Sequence, residues 1–116
     1  MHKPVVAVAI LNYNGKKLLQ QFLPSVLKHS QNAAVYVIDN ASTDDSLAFL
    51  EKEYPGVKVI VHRENYGFAQ GYNAGIKQIG ADYFVLLNSD VEVTGNWIEP
   101  VIDLMETDRA IAACQP

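Results

Sequence analysis

The chain has 116 residues and a mass of 12.8 kDa, which is room for one domain. Its 49% hydrophobic and 19% charged residues exclude disorder as the dominant state, and nine Lys and Arg against thirteen Asp and Glu leave a net charge of −4, the wrong sign for broad nucleic-acid binding. A single cysteine, Cys114, excludes an internal disulfide framework and a multi-cysteine zinc site, and no apolar run approaches the roughly 18 residues of a membrane helix. With no N-terminal signal pattern, the expected compartment is the cytoplasm.

In chain order, apolar β-branched runs at 5–11, 35–38, 57–61 and 83–87 predict four strands. Runs that are apolar throughout suit strands covered on both faces, as in a parallel sheet. Between them the spacing turns helical. Leu18, Leu19, Phe22, Leu23, Val26 and Leu27 make one apolar face after Asn14-Gly15, with Pro24 expected to kink or divide that helix. Ser42-Thr43-Asp44-Asp45 reads as a helix start with Ser42 as cap, and Pro55-Gly56 as its stop. A third helix is expected over about 68–79 and a fourth after Gly95-Asn96, with Pro100 in its first turns. The order β-α-β-α-β-α-β-α, with 111–114 as a brief fifth strand candidate, predicts an α/β fold: an open, three-layer, mainly parallel sheet with right-handed crossovers.

Such sheets bind ligands beyond the carboxyl ends of their strands. Those ends carry Asn12-Tyr13-Asn14-Gly15, Asp39-Asn40-Ala41-Ser42, the segment from His62 to Gly67, and Asn88-Ser89-Asp90. Asp39 follows an apolar strand, where a carboxylate can accept hydrogen bonds from ring N–H groups or sugar hydroxyls; the alternative is capping of the next helix. Asn88-Ser89-Asp90 could hold a hard divalent cation through the Asp90 carboxylate, or form a plain turn. An anionic diphosphate beside Asp90 needs a cation between them. Gly67, Gly71 and Gly75 recur every fourth residue, which means close helix packing or a backbone brought near a ligand. Neither a G-x-G-x-x-G nor a G-x-x-x-x-G-K-[ST] phosphate loop occurs, and His2, His29 and His62 lack metal-ligand spacing.

Leu11-Asn-Tyr-Asn-Gly15, Val37-Ile-Asp-Asn-Ala-Ser-Thr-Asp44, Asn65-Tyr-Gly-Phe-Ala-Gln-Gly-Tyr-Asn-Ala-Gly75 and Leu86-Leu-Asn-Ser-Asp90, in this order, resemble the amino-terminal half of a family 2 glycosyltransferase with the GT-A fold. The resemblance covers about 5–114. It implies a single nucleotide-sugar-binding domain over 1–116 that takes a UDP- or dTDP-sugar. Asp39 is implied to contact the base. Asn12, Tyr13, Asn14, Asn65, Gly67 and Asn88 complete the nucleotide set, and Asp90 is implied to bind Mg²⁺ or Mn²⁺. Asn88 stands where the family's metal motif begins with an acidic residue, a pattern of its rhamnosyltransferase-like branch. The implied reaction inverts the anomeric carbon and passes the sugar to a saccharide or lipid-linked acceptor, as in cell-wall or polysaccharide synthesis, in the cytoplasm or at the inner face of the membrane. The general base is expected beyond Pro116, so the chain reads as a truncated donor half with no catalytic residue of its own. Apolar surface left by truncation favours a homo-oligomer. The alternative is a catalytically incomplete nucleotide-binding or assembly module. A receiver-type signalling domain ranks lower, because Leu11-Asn12 occupy the place of its acidic pair.

Overall fold

The computed structural model describes residues 4–107; the candidate strand at 111–114 lies outside them. The elements are β1 (Val6–Asn12), α1 (Lys16–Lys28), β2 (Ala34–Asp39), α2 (Ser46–Glu53), β3 (Lys58–Val61), α3 (Phe68–Ile76), β4 (Tyr83–Leu87) and α4 (Glu99–Thr107). The strands form one parallel sheet in the order β3-β2-β1-β4. Two crossovers step outward from β1 to β3, and the third returns across the sheet to place β4 on the other flank of β1.

Alternation along β1 divides the core. Val6, Val8 and Ile10 pack with Val35, Val37, Leu19, Leu23, Val26, Leu50 and Ile102, so α1, α2 and α4 share one face. Ala9 packs with Ile38 and Tyr72, so α3 covers the other. Each fully buried Leu or Val contributes about 1.5–3 kcal/mol. The alanines keep the second layer thin, and α3 lies close on the sheet. A Cβ on Gly75 would stand 2.4 Å from Ile38 Cδ1, which selects glycine there for packing. Gly67 has a different reason: it caps α3 at φ 80°.

The structure departs from the sequence expectations in four places. Only β1 and β2 are covered throughout; β3 and β4 form the edges among the described residues, and Val61, Phe84 and Leu86 are exposed. Pro24 does not divide α1, because it sits on the exposed side, where the carbonyl it leaves unpaired can be hydrated. Ser42 does not cap α2, which begins at Ser46, because tertiary partners take its hydroxyl. The helix expected over 68–79 ends at Ile76 and relaxes into i→i+3 turns up to Ile79. No helix among the described residues is long and apolar enough to cross a membrane.

Candidate functional site

All four strands point the same way, so their polar carboxyl ends lie along one edge. The two flanks of β1 differ there.

On the β2 flank the ladder runs to the last residue, with Asn12 opposite Asp39. Both side chains are buried, Asp39 with no exposed surface at all. Asp39 Oδ1 accepts from Asn12 Nδ2 at 2.9 Å and from the Ser42 hydroxyl at 2.7 Å, while Oδ2 accepts from the Ser42 amide at 2.9 Å. Asp39 therefore shapes its own turn and does not cap α2, the alternative that the sequence left open. Ala41 closes that turn at φ 63°, a left-handed conformation that strains a residue bearing a Cβ. Asn14, also left-handed at φ 50°, clasps the two loops together. Its Oδ1 accepts from the amides of Thr43 at 2.6 Å and Asp44 at 3.0 Å, and its own amide donates to Ser42 Oγ. The Lys16 amide donates to Asp44, and Lys16 Nζ pairs with Asp45 at 2.7 Å.

Desolvation is the largest influence on the Asp44 carboxyl and acts to raise its pKa. The hydroxyl and amide of Ser46, the Lys16 amide and the Lys16 charge together outweigh it and hold the group below its ordinary value. Asp45 is held low chiefly by the Lys16 hydrogen bond. Asn12 Oδ1 has no partner among the described residues, although it is buried. It lies so close to Gly15 that a Cβ there would stand 2.5 Å away.

Beyond β2, Asn40 ties the next loop to the edge. Its Nδ2 donates to Asn65 Oδ1 at 3.1 Å and the Gly67 carbonyl at 2.9 Å, and its Oδ1 accepts from the Tyr66 amide. His62, also buried, donates from Nε2 to the Gly71 carbonyl at 2.9 Å. Asn65 and Gly67 themselves are exposed.

On the β4 flank the ladder stops at Ile10 and Leu87. Asn88 and Asp90 are exposed, and Tyr13 is half exposed on the facing loop. Between these segments sits the Tyr72 hydroxyl, which donates to the Leu87 carbonyl at 2.9 Å and accepts from the Leu11 amide at 3.3 Å. Burial raises the Tyr72 pKa against the opposing Leu11 bond, so the phenol stays neutral. Asp39 and Asp90 thus lie at the same edge, one strand apart from each other across β1, with Asp39 beneath the surface and Asp90 on it.

No group of three or more His, Cys, Asp or Glu able to hold a metal forms among the described residues. The donor chemistry at 88–90 is one exposed carboxylate with neutral amide and hydroxyl oxygens. That set suits a Mg²⁺-like cation completed by phosphate oxygens, since such ions are commonly held by one or two carboxylates plus substrate.

Sequence reasoning missed the clamp at Asn40 and the bridge at Tyr72. Asn40 carries an Asx-turn signal, but its partners come from another loop. Tyr72 looks like any apolar residue of a helix.

The class of molecule is clear at this point: a parallel α/β domain whose polar strand ends surround the place where the strand order reverses, the usual ligand crevice of such sheets. The family model described as Glycosyl transferase family 2 matches residues 7–116, and the chain belongs to that family. An uncharacterized glycosyltransferase of Haemophilus influenzae is 28% identical over 114 residues, 95% of this chain but 35% of the relative. The chain therefore spans about a third of that protein's length. Among solved structures, Staphylococcus aureus TarS 1-349 in complex with UDP-GlcNAc matches 90% of this chain and 32% of its own, with TM-score 0.76 and 22% identity. Mannosyltransferase PcManGT from Pyrobaculum calidifontis, in complex with GDP-Man and Mn²⁺, matches 78% of this chain and 29% of its own, with TM-score 0.67 and 21% identity. Both likenesses are of fold.

Proposed function

We propose that this chain is the donor-binding part of an inverting, metal-dependent glycosyltransferase that takes a UDP- or dTDP-sugar and serves a saccharide or lipid-linked acceptor. The observation that carries this reading is the switch point between β1 and β4, where the ladder ends at Ile10 and Leu87 and the polar segments 12–14 and 88–90 leave the carboxyl ends of adjacent parallel strands. Membership of family 2 and the nucleotide-sugar complexes of two fold neighbours support it.

In this reading the 12–14 loop lines the nucleotide, with Asn65 and Gly67 at the outer end of the site. Asp39 Oδ2 accepts one hydrogen bond and keeps capacity for a ring N–H. Because Asp39 has no exposed surface, a base reaches it only when the flanking loops part. Asp90, aided by Asn88, would hold Mg²⁺ or Mn²⁺. The cation would neutralise charge on the departing diphosphate. The neutral Asn88 supports placement in the rhamnosyltransferase-like branch. No residue of this chain is assigned as general base. Work in cell-wall or polysaccharide synthesis, beside the inner face of a membrane, fits such an acceptor.

The test is calorimetric titration of UDP and dTDP, with and without Mn²⁺. Weak binding that strengthens with Mn²⁺, and is lost in Asp90→Ala, is the expected result. Equal affinity of wild type and Asp90→Ala at every Mn²⁺ concentration refutes the site.

A further inference from the structure

The ladder between β1 and β4 does not end by fraying. It ends on a side chain. β1 pairs with β2 through Leu11 opposite Ile38 and Asn12 opposite Asp39, yet its last partner on β4 is Leu87, opposite Ile10. The next amide on β1, that of Leu11, meets the Tyr72 hydroxyl at 3.3 Å, and that hydroxyl donates to the Leu87 carbonyl at 2.9 Å. Two hydrogen bonds in series thus stand where a parallel ladder would place one bond of about 2.9 Å. The strands must separate by the width of an oxygen at this level. Everything beyond it, the 12–14 loop on one side and 88–90 on the other, leaves from the widened end.

The geometry points to the Tyr72 hydroxyl as the spacer that sets the gap between these two segments, which makes Tyr72 a positioning residue for the diphosphate and its cation. This assignment to the diphosphate rests on the reading of the site given above. Several features of the fold serve it. Ala9 on the α3 face of β1 leaves room for a buried aromatic ring. Gly71 and Gly75 bring α3 down onto Leu11 and Ile38, so a residue between them reaches the strand ends. Phe68, one turn earlier, meets the Tyr72 ring edge-on at 5.1 Å between centroids and limits its movement. Both polar valences of the hydroxyl are used by main-chain groups of different strands, so phenylalanine at this position removes the bridge with little change of shape.

The test is Tyr72→Phe in the full chain, with two readouts. The first needs no ligand. Amide hydrogen exchange should speed up at Leu11, and amide shifts should change at 88–90, while 39–42 stay as in the wild type. Unchanged exchange at Leu11 together with unchanged shifts at 88–90 overturns the spacer. The second separates the nucleoside from the diphosphate. Uridine affinity should be retained, and the extra affinity of UDP with Mn²⁺ over uridine should fall about three- to tenfold, the worth of one buried hydrogen bond. A general loss of folding would lower both affinities together; that result, or an undiminished Mn²⁺ gain, overturns the positioning role. If the wild type shows no Mn²⁺ gain, the functional reading fails, and with it the assignment to the diphosphate, while the exchange readout still decides the spacer.

Discussion

β1 has two neighbours at its carboxyl end and treats them differently. Toward β2, Asn12, Asn14, Asp39 and Ser42 hydrogen-bond to one another and tie two loops together. Toward β4, a tyrosine hydroxyl holds the strands apart, and Asn88 and Asp90 keep their polar groups at the surface. The lesson is that residues of the same types at equivalent strand ends do different work. Burial and prior hydrogen bonding make the first set a scaffold. Exposure makes the second set available to a ligand.

Unfolding free energies should expose this contrast most strongly. Asp39→Ala removes the acceptor of both Ser42 donors and leaves the Asn12 side-chain amide with Ser42 Oγ alone, and should cost about 3 kcal/mol in a urea titration. Asp90→Ala, at the surface, should stay within about 0.5 kcal/mol of wild type. Comparable losses in the two variants would erase the distinction. Next in size is Asn14→Ala, which removes the acceptor of two loop amides and puts alanine at φ 50°; about 1–2 kcal/mol is expected, with Asn14→Gly closer to wild type because only the strain is relieved. Ala41→Gly should act in the opposite sense and raise stability by about 1 kcal/mol, read as a higher urea midpoint at constant slope.

The smallest effect concerns pH. Asp44 lies below its ordinary value of 3.8 in the folded chain, so its ionised form contributes stability above that value. The contribution fades as pH falls through the lower, folded pKa. Wild type should therefore lose slightly more stability than Asp44→Asn on acidification below about pH 4, a difference measurable by thermal melts across that window.

Much of the fold was legible in the sequence. Uninterrupted β-branched runs and the 3.6-residue spacing between them predict the four strands and four helices of the described residues in order, because both signals are local. The start of α2 was not legible. Ser42-Thr43-Asp44-Asp45 carries a capping pattern, but Asp39 and Asn14 claim the Ser42 hydroxyl, and neither is visible as a partner until the sheet is assembled. The exposure of β3 and β4 was hidden for a similar reason: their composition matches that of β1 and β2, and only the strand order makes them edges. At the site, the polar strand ends could be named from sequence, whereas the division into buried scaffold and exposed rim could not. Tyr72 was invisible because its role depends on a ladder ending one residue before Leu11.

The central claim is that ligand and cation meet at the β1–β4 junction. Paramagnetic broadening of backbone amides by Mn²⁺ in the presence of UDP locates the ion directly. Broadening strongest at 88–90, extending to 12–14 and weak around Glu51 and Glu53 on α2, is the expected map. Broadening centred on α2 or on the amino-terminal ends of the strands, with 88–90 sharp, would contradict it.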